Sequence, residues 1–323
     1  MKSKVLITRA VPEEWIGELN GIAEVTIWDS VRNFLMPRKE LLSEIGNYEA
    51  IINFAEVKVD EELIRGAPKL KIIANCSIGF DNLNFDLLTS RGIWASNSPG
   101  FFNYPVAEYV FAGIIVLSRR LLEADDFVRE GKWHAFEPGR WDGVSLKEKT
   151  IGIIGLGTIG KELRQMVKAM GAKVIYFTPV PAKEEGWVTF EELVSSSDVI
   201  SIHVPLTPKT INLIDSNVIS KVKRGVIIAN TSRGTIIDQK ALVLALQLGK
   251  VGGAILDVFQ DEPNVPEELL RMRNVLLTPH VAGGTQSARE ACVKRAVENV
   301  AAVLQNRKPM NALNELSLCP KTK

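Results

Sequence analysis

Ile151-Gly152-Ile153-Ile154-Gly155-Leu156-Gly157-Thr158-Ile159-Gly160 is the stretch on which the reading of this chain turns. Its first four residues form a short β-rich run. Gly155, Gly157 and Gly160 then fall in Gly-x-Gly-x-x-Gly spacing, with Thr158 and Ile159 between them. Beyond the glycines, Ile159, Leu163, Met166, Val167 and Met170 make one apolar helical stripe, and Gly171 is placed to stop it. Gly155 permits a tight turn, Gly157 lets a ligand approach the backbone, and Gly160 lets the helix pack close to the strand. The free N–H groups and positive dipole end of that helix suit phosphates. A lone glycine pattern of this kind marks only a tight turn. Set between a strand and a helix, it predicts a dinucleotide site.

Downstream, short apolar runs continue the alternation. Ile151–Ile154, Val174–Phe177, Val199–His203, Val226–Asn230, Ala254–Asp257 and Val275–Thr278 are six candidate strands with helix-like stretches between them, the count of a doubly wound dinucleotide fold. Upstream, Val5-Leu6-Ile7, Val25-Thr26-Ile27-Trp28, Ile51-Ile52 and Ile72-Ile73-Ala74 recur about every 20 to 25 residues, which predicts a second parallel sheet. Between the two sets, the spacing of Val106, Val110, Ile114, Leu117, Leu121 and Leu122 predicts a helix over Asn103–Lys132. An aromatic loop, Trp133–Trp141, follows it. Ala288–Gln305 reads as an amphipathic helix, and the polar tail after Asn311 as loosely ordered.

The 323 residues suffice for two domains, and 46% hydrophobic with 24% charged residues is a globular balance. Lys+Arg (39) and Asp+Glu (38) nearly cancel to +1, so net charge makes no case for nucleic acid or an anionic membrane. Cys76, Cys292 and Cys319 are an odd number without metal spacing, which fits a reducing compartment. The N-terminal MKSKVLITRA does not read as a signal peptide. The apolar run Val110–Leu117 is too short to span a bilayer. These features predict a soluble cytoplasmic protein with no metal.

Ligands bind beyond the C-terminal ends of strands in open α/β sheets. Three segments sit at such ends: Asn230-Thr231-Ser232-Arg233-Gly234, Leu256–Pro263 and Thr278-Pro279-His280-Val281-Ala282-Gly283-Gly284-Thr285. Reduction of a 2-oxo acid needs a cation for the carboxylate and ketone, and the planar fork of Arg233 suits it. It needs a proton donor titrating near neutrality, and His280 suits that. It needs a carboxylate to orient the imidazole and favour its charged form, and Glu262 suits that. Singly, each is an ordinary polar loop residue. Their joint occurrence after a glycine turn is far more specific.

With these residues in place, the chain resembles the D-isomer-specific 2-hydroxyacid dehydrogenases over about Ile72–Asn311, through Gly155–Gly160, His203-Val204-Pro205-Leu206-Thr207, the Asn230–Gly234 segment, Asp257-Val258-Phe259 with Glu262-Pro263, and Thr278–Ala282. Within that family the pattern is most similar to glyoxylate/hydroxypyruvate reductases. The resemblance implies an α/β protein of two domains: a flavodoxin-like substrate domain over 1–100 plus 287–323, and a Rossmann doubly wound parallel-sheet cofactor domain over 101–286. It implies catalysis by Arg233, Glu262 and His280. Substrate binding is implied for the N–H groups of Ile78 and Gly79, with Arg233 and His280. Cofactor contacts are implied at Val106, Gly155, Gly157, Thr158, Ile159, Gly160, Thr178, His203, Val204, Pro205, Thr210, Thr231, Ser232, Arg233, Asp257, His280 and Gly283, with Asp257 on the nicotinamide carboxamide. It also implies a homodimer built on Asn103–Trp141.

Two departures bear on the cofactor. Thr178 stands where an acid would bind the adenosine ribose of NAD, and Thr158 where many relatives carry Arg, for which Lys161 is a substitute. Lys183 beside Thr178 would attract a 2′-phosphate, and Glu184 and Glu185 would oppose it, so NAD and NADP both stay open. The leading function is hydride transfer between NAD(P)H and a small 2-oxo acid. The competing one is a nicotinamide-sensing binding protein, like the corepressors on this fold, which keep the same three residues.

Overall fold

The computed structural model describes residues 2–29, 34–181 and 184–316. Lys183 and Cys319 lie outside them. The chain divides into two compact units, Met1–Phe102 with Thr285–Lys323, and Asn103–Gly284.

The first unit is built on five parallel strands, β1 (Ser3–Ile7), β2 (Ala23–Ile27), β3 (Ala50–Asn53), β4 (Ile72–Asn75) and β5 (Trp94–Ser96), in the flavodoxin-like order β2-β1-β3-β4-β5. Side chains alternate across such a sheet. Val5, Ile7, Ile52, Ile72 and Ala74 face the long helix Gln286–Leu304, where they meet Cys292, Val293, Ala296, Val297 and Val300. Leu6, Ile51, Ile73 and Ala95 face the other side, against Leu41, Leu63 and Leu88 of three short helices. Burial on both faces is why β1, β3 and β4 read as unbroken apolar runs.

β5 is absent from the sequence reading, because Trp-Ala-Ser has neither alternation nor an apolar run. It exists through its neighbours, pairing with β4 on one side and bridging Ala312 from Ser96 on the other. The tail after Asn311 is correspondingly not loose through Leu316. Leu313 N–H donates to the Ala95 carbonyl, and buried Asn314 accepts from Ala95 N–H (2.8 Å) and donates to the Ile93 carbonyl (2.9 Å). Asn314 is polar because it terminates a sheet edge, which composition alone cannot distinguish from a solvated tail.

The second unit holds six parallel strands, β6 (Thr150–Ile154), β7 (Lys173–Phe177), β8 (Val199–Ile202), β9 (Val226–Asn230), β10 (Val251–Leu256) and β11 (Val275–Leu277), in the order β11-β10-β9-β8-β6-β7. The six predicted strands are all present. In the six-stranded Rossmann order, the third strand lies outside the second. Here that place, outside β7, is held by one bridge from Trp187 to Tyr176. Pro179 and Pro181 lack the N–H groups a full edge strand would need. The order in which strands are added reverses between β6 and β8, and the C-terminal ends of these two parallel strands form the switch-point crevice.

The predicted helix over Asn103–Lys132 is two helices, Asn103–Ser118 and Leu121–Arg129, separated at Arg120, whose φ is +54°. The apolar spacing runs through the break because both helices bury a face. Tertiary contacts hold the turn: Arg120 donates to Glu123 Oε2 (2.6 Å) and the Arg140 carbonyl (3.0 Å) and lies over the Trp141 ring. Among the described residues no helix is long and apolar enough to cross a membrane.

Candidate active site

Gly155 has φ +95°, a conformation L side chains avoid, and a Cβ there would come 2.6 Å from the His203 carbonyl of the neighbouring strand end. Only glycine lets the turn after β6 lie this close to the end of β8. Gly157 then caps the helix Thr158–Ala169 with no side-chain cap bond, leaving first-turn N–H groups for a phosphate. A Cβ on Gly157 would meet nothing within 4 Å, so that side of the turn is open to a pyrophosphate, and the residues present fit a dinucleotide.

Three loops from the ends of β9, β10 and β11 converge near this turn. Gly234, after Arg233, lies with its α-carbon against the Phe259 carbonyl and Gln260 N, closer than any side chain would allow. That approach locks the Arg233 segment to the loop carrying Glu262. Glu262 Oε1 accepts from Phe259 N–H (3.0 Å), and its Oε2 lies 2.9 Å from His280 Nδ1. A carboxylate only accepts, so Nδ1 carries the proton and Nε2 is the outward nitrogen. Nε2 has no partner among the described residues. The Glu262 bond raises the His280 pKa above its ordinary value, against burial and the Arg233 charge. Burial would raise Glu262, but bonds from His280 and Phe259 N–H outweigh it and lower its pKa. Arg233 is partly buried and donates to the Ser232 carbonyl (2.8 Å).

His280 has φ +56°, an uncommon conformation for a side-chain-bearing residue. Buried Asp257 holds it there. His280 N–H donates to the Asp257 carbonyl (2.9 Å), and the Asp257 carboxylate accepts from Thr278 Oγ1 (2.6 Å), Val281 N–H (2.8 Å) and Ala282 N–H (2.8 Å). Since the Thr278 proton is committed to Asp257, Tyr109 Oη donates to Thr278 Oγ1, at 2.6 Å. Sequence reading missed Tyr109, and placed Thr278 in the strand-end segment without giving it a role. Tyr109 looks like one more core residue of an apolar helix, and only tertiary contact reveals its partner.

The remaining predicted residues spread along the same strand ends. Val106 is buried on the helix Asn103–Ser118. His203 is neutral near pH 7, since burial lowers its pKa to about 4, and its Nε2 meets Ser201 Oγ at 2.8 Å. Val204 and Pro205 follow it, and Thr210 closes their turn by donating to the Pro205 carbonyl (2.7 Å). Ser232 Oγ donates to the Ile202 carbonyl (2.9 Å), whereas Thr231 Oγ1 is buried without a partner among the described residues. Gly283 follows Ala282 in the His280 turn. Thr178 donates to the Val180 carbonyl (2.8 Å) just past β7. Glu184 binds Lys161 (3.0 Å) and Arg164 (2.5 Å), so that acid opposes cations of the glycine-turn helix.

In the first unit, Ile78 and Gly79 lie in the loop after β4. Ser77 O accepts from Ser98 N–H (2.9 Å), and Ile78 O from Asn97 Nδ2 (2.8 Å). Gly79 O accepts from Ser77 Oγ (2.7 Å). The N–H groups of Ile78 and Gly79 have no acceptor among the described residues.

The family model for the NAD-binding domain of D-isomer-specific 2-hydroxyacid dehydrogenases matches residues 111–282. A glyoxylate reductase of Thermococcus litoralis is 40% identical over 326 residues, covering 98% of each chain. The chain belongs to the D-isomer-specific 2-hydroxyacid dehydrogenase family. Among solved structures, D-lactate dehydrogenase of Aquifex aeolicus, complexed with NAD and lactic acid, superposes with TM-score 0.84 at 30% identity, covering 98% of this chain and 100% of that one. The NADPH-dependent glyoxylate/hydroxypyruvate reductase of Sinorhizobium meliloti, with NADP and malonate, gives 0.83 at 27% identity, covering 97% of both. This dehydrogenase is an NAD(P)-dependent oxidoreductase acting on the CH–OH of a 2-hydroxy acid.

Proposed function

We propose that this dehydrogenase interconverts small 2-oxo acids of the glyoxylate and hydroxypyruvate type with their 2-hydroxy acids, using Arg233, Glu262 and His280. The observation that carries the proposal is the 2.9 Å contact between Glu262 and His280 Nδ1, which leaves Nε2 to face a ligand. The likeness to curated glyoxylate reductases supports the substrate class. When bound, the nicotinamide supplies or accepts the hydride. Arg233 holds the carboxylate and draws electron density from the ketone oxygen. As hydride adds to C2, the O–H bond forms with the proton leaving His280 Nε2, and Glu262 keeps the imidazole protonated until then. Oxidation runs the same step backwards, with neutral His280 taking the hydroxyl proton.

The Ile78 and Gly79 N–H groups bind the substrate carboxylate in this reading, which makes the first unit the substrate domain. The pyrophosphate lies on Gly155–Gly160, with Val106, Thr178, His203, Val204, Pro205, Thr210, Thr231, Ser232, Asp257 and Gly283 lining the rest of the cofactor. We assign the protein to the cytoplasm, in keeping with its few cysteines, of which Cys76 and Cys292 are buried free thiols. We also assign it a homodimer through Asn103–Trp141, where Tyr104, Val128, Trp133 and Phe136 leave large apolar surfaces exposed. The test is a panel of 2-oxo acids against NADH and NADPH, followed by absorbance. Turnover of glyoxylate or hydroxypyruvate is expected, and none on any 2-oxo acid would overturn the assignment.

A further inference from the structure

The loop after β4 carries a hydrogen-bond pattern with a directional consequence. A trans peptide is planar, with its N–H opposite its C=O. Pinning a carbonyl therefore fixes where the next residue's N–H points. Ser77 O is held by Ser98 N–H at 2.9 Å, which aims Ile78 N–H away from the segment after β5. Ile78 O is held by the side chain of Asn97 at 2.8 Å, which aims Gly79 N–H the same way. Two successive N–H groups thus point to one side from one anchor segment, the arrangement that binds an anion.

The anchor is itself fixed. Ser98 Oγ donates to the Asn75 carbonyl at 3.1 Å. Fully buried Asn75 accepts from Asn53 Nδ2 at 2.8 Å and donates to Asn82 Oδ1 at 2.8 Å, and Asn82 Nδ2 donates to the Val57 carbonyl at 2.9 Å. Asn97 is buried as well, at 7% exposed. A buried amide ladder of this kind rigidifies only where its members are satisfied, and an apolar filling would serve mere packing better.

We propose that Asn97 is a positioning residue which, braced by the Asn53–Asn75–Asn82 ladder, orients the Ile78–Gly79 peptide toward the substrate carboxylate and so sets affinity for the 2-oxo acid. This rests on the reading above that those two N–H groups bind the carboxylate. Asn97 touches no reacting atom. Its removal lets the peptide rotate and misaligns a charge-assisted bond.

The test compares Asn97→Ala with Ile78→Pro, which deletes one N–H outright, in the full-length enzyme. Steady-state kinetics with glyoxylate and NADH or NADPH, cofactor binding by fluorescence and thermal melting are measured together. For Asn97→Ala, KM for glyoxylate rises about 10- to 100-fold, the worth of one charged hydrogen bond, while kcat and cofactor affinity stay within about 3-fold. Unchanged KM in Asn97→Ala alongside raised KM in Ile78→Pro overturns the positioning role and leaves the carboxylate cradle standing. Unchanged KM in Ile78→Pro removes the cradle and the inference with it. Equal losses of substrate and cofactor affinity in Asn97→Ala mark a merely structural residue and also overturn it. Should Asn97→Ala fail to fold, Asn97→Ser, polar but too short to reach the Ile78 carbonyl, gives the same readout.

Discussion

Glu262→Gln keeps an acceptor for His280 Nδ1–H but removes the charge. The two groups form a hydrogen-bonded pair at 2.9 Å, with side chains 51% (His280) and 36% (Glu262) exposed. Two unit charges about 4 Å apart attract by about 1 kcal/mol in water and about 4 kcal/mol at a surface-like dielectric. Exposure of this extent screens the pair toward the lower end, to about 1–2 kcal/mol. That corresponds to roughly a 5- to 30-fold change in the His280 protonation equilibrium. His280 is raised by Glu262, so the wild-type imidazole keeps its proton to higher pH than the variant's does. Reduction, which consumes that proton, is expected to lose roughly 5- to 30-fold in kcat/KM on the alkaline side and far less at acid pH, where both enzymes are protonated. Oxidation of the hydroxy acid, which needs neutral His280, extends to lower pH in the variant. The assay is kcat/KM in both directions from about pH 5 to about pH 9. A uniform loss with an unmoved alkaline limb would refute the charge-based role of Glu262.

Three further outcomes follow from the packing. Gly234→Ala drives a Cβ into the Phe259 carbonyl, and its melting temperature is expected to fall by roughly 5–15 °C with loss of activity; an unchanged melt would show that the two loops can separate freely. Tyr109→Phe removes one donor from the Thr278–Asp257 chain. It is expected to cost about 1 kcal/mol of stability, read by denaturant titration. Asn314→Ala strands Ala95 N–H and the Ile93 carbonyl. A loss of about 1–3 kcal/mol, measured the same way, is expected if the tail is part of the first unit.

The parts of this dehydrogenase that could be read from residues alone are those where local pattern and tertiary role coincide. β6 with Gly155, Gly157 and Gly160 is legible because strand, glycine spacing and helix follow one another in a single short stretch of sequence. The same holds for the buried parallel strands, whose apolar runs need no register to be seen. Arg233, Glu262 and His280 stand out only jointly, at the ends of three successive strands, since Arg and Glu are common here and His alone is scarce. What stayed hidden depends on contacts far apart in sequence. β5 needs Asn314, 219 residues from its Ala95 partner. The break at Arg120 needs Glu123, Arg140 and Trp141. Tyr109 finds Thr278 across 169 residues, and Asn97 matters only because Ile78 lies beside it. Thr178 shows the opposite limit: its position was evident, but a hydroxyl there does not decide between NAD and NADP.

A single-turnover experiment with His280→Ala tests the chemistry most directly. Enzyme is saturated with NADH or NADPH, mixed with glyoxylate, and loss of the reduced nicotinamide is followed. The step is expected to slow by about 10²- to 10⁴-fold relative to wild type at saturating cofactor. Hydride transfer at the wild-type rate would contradict His280 as the proton donor.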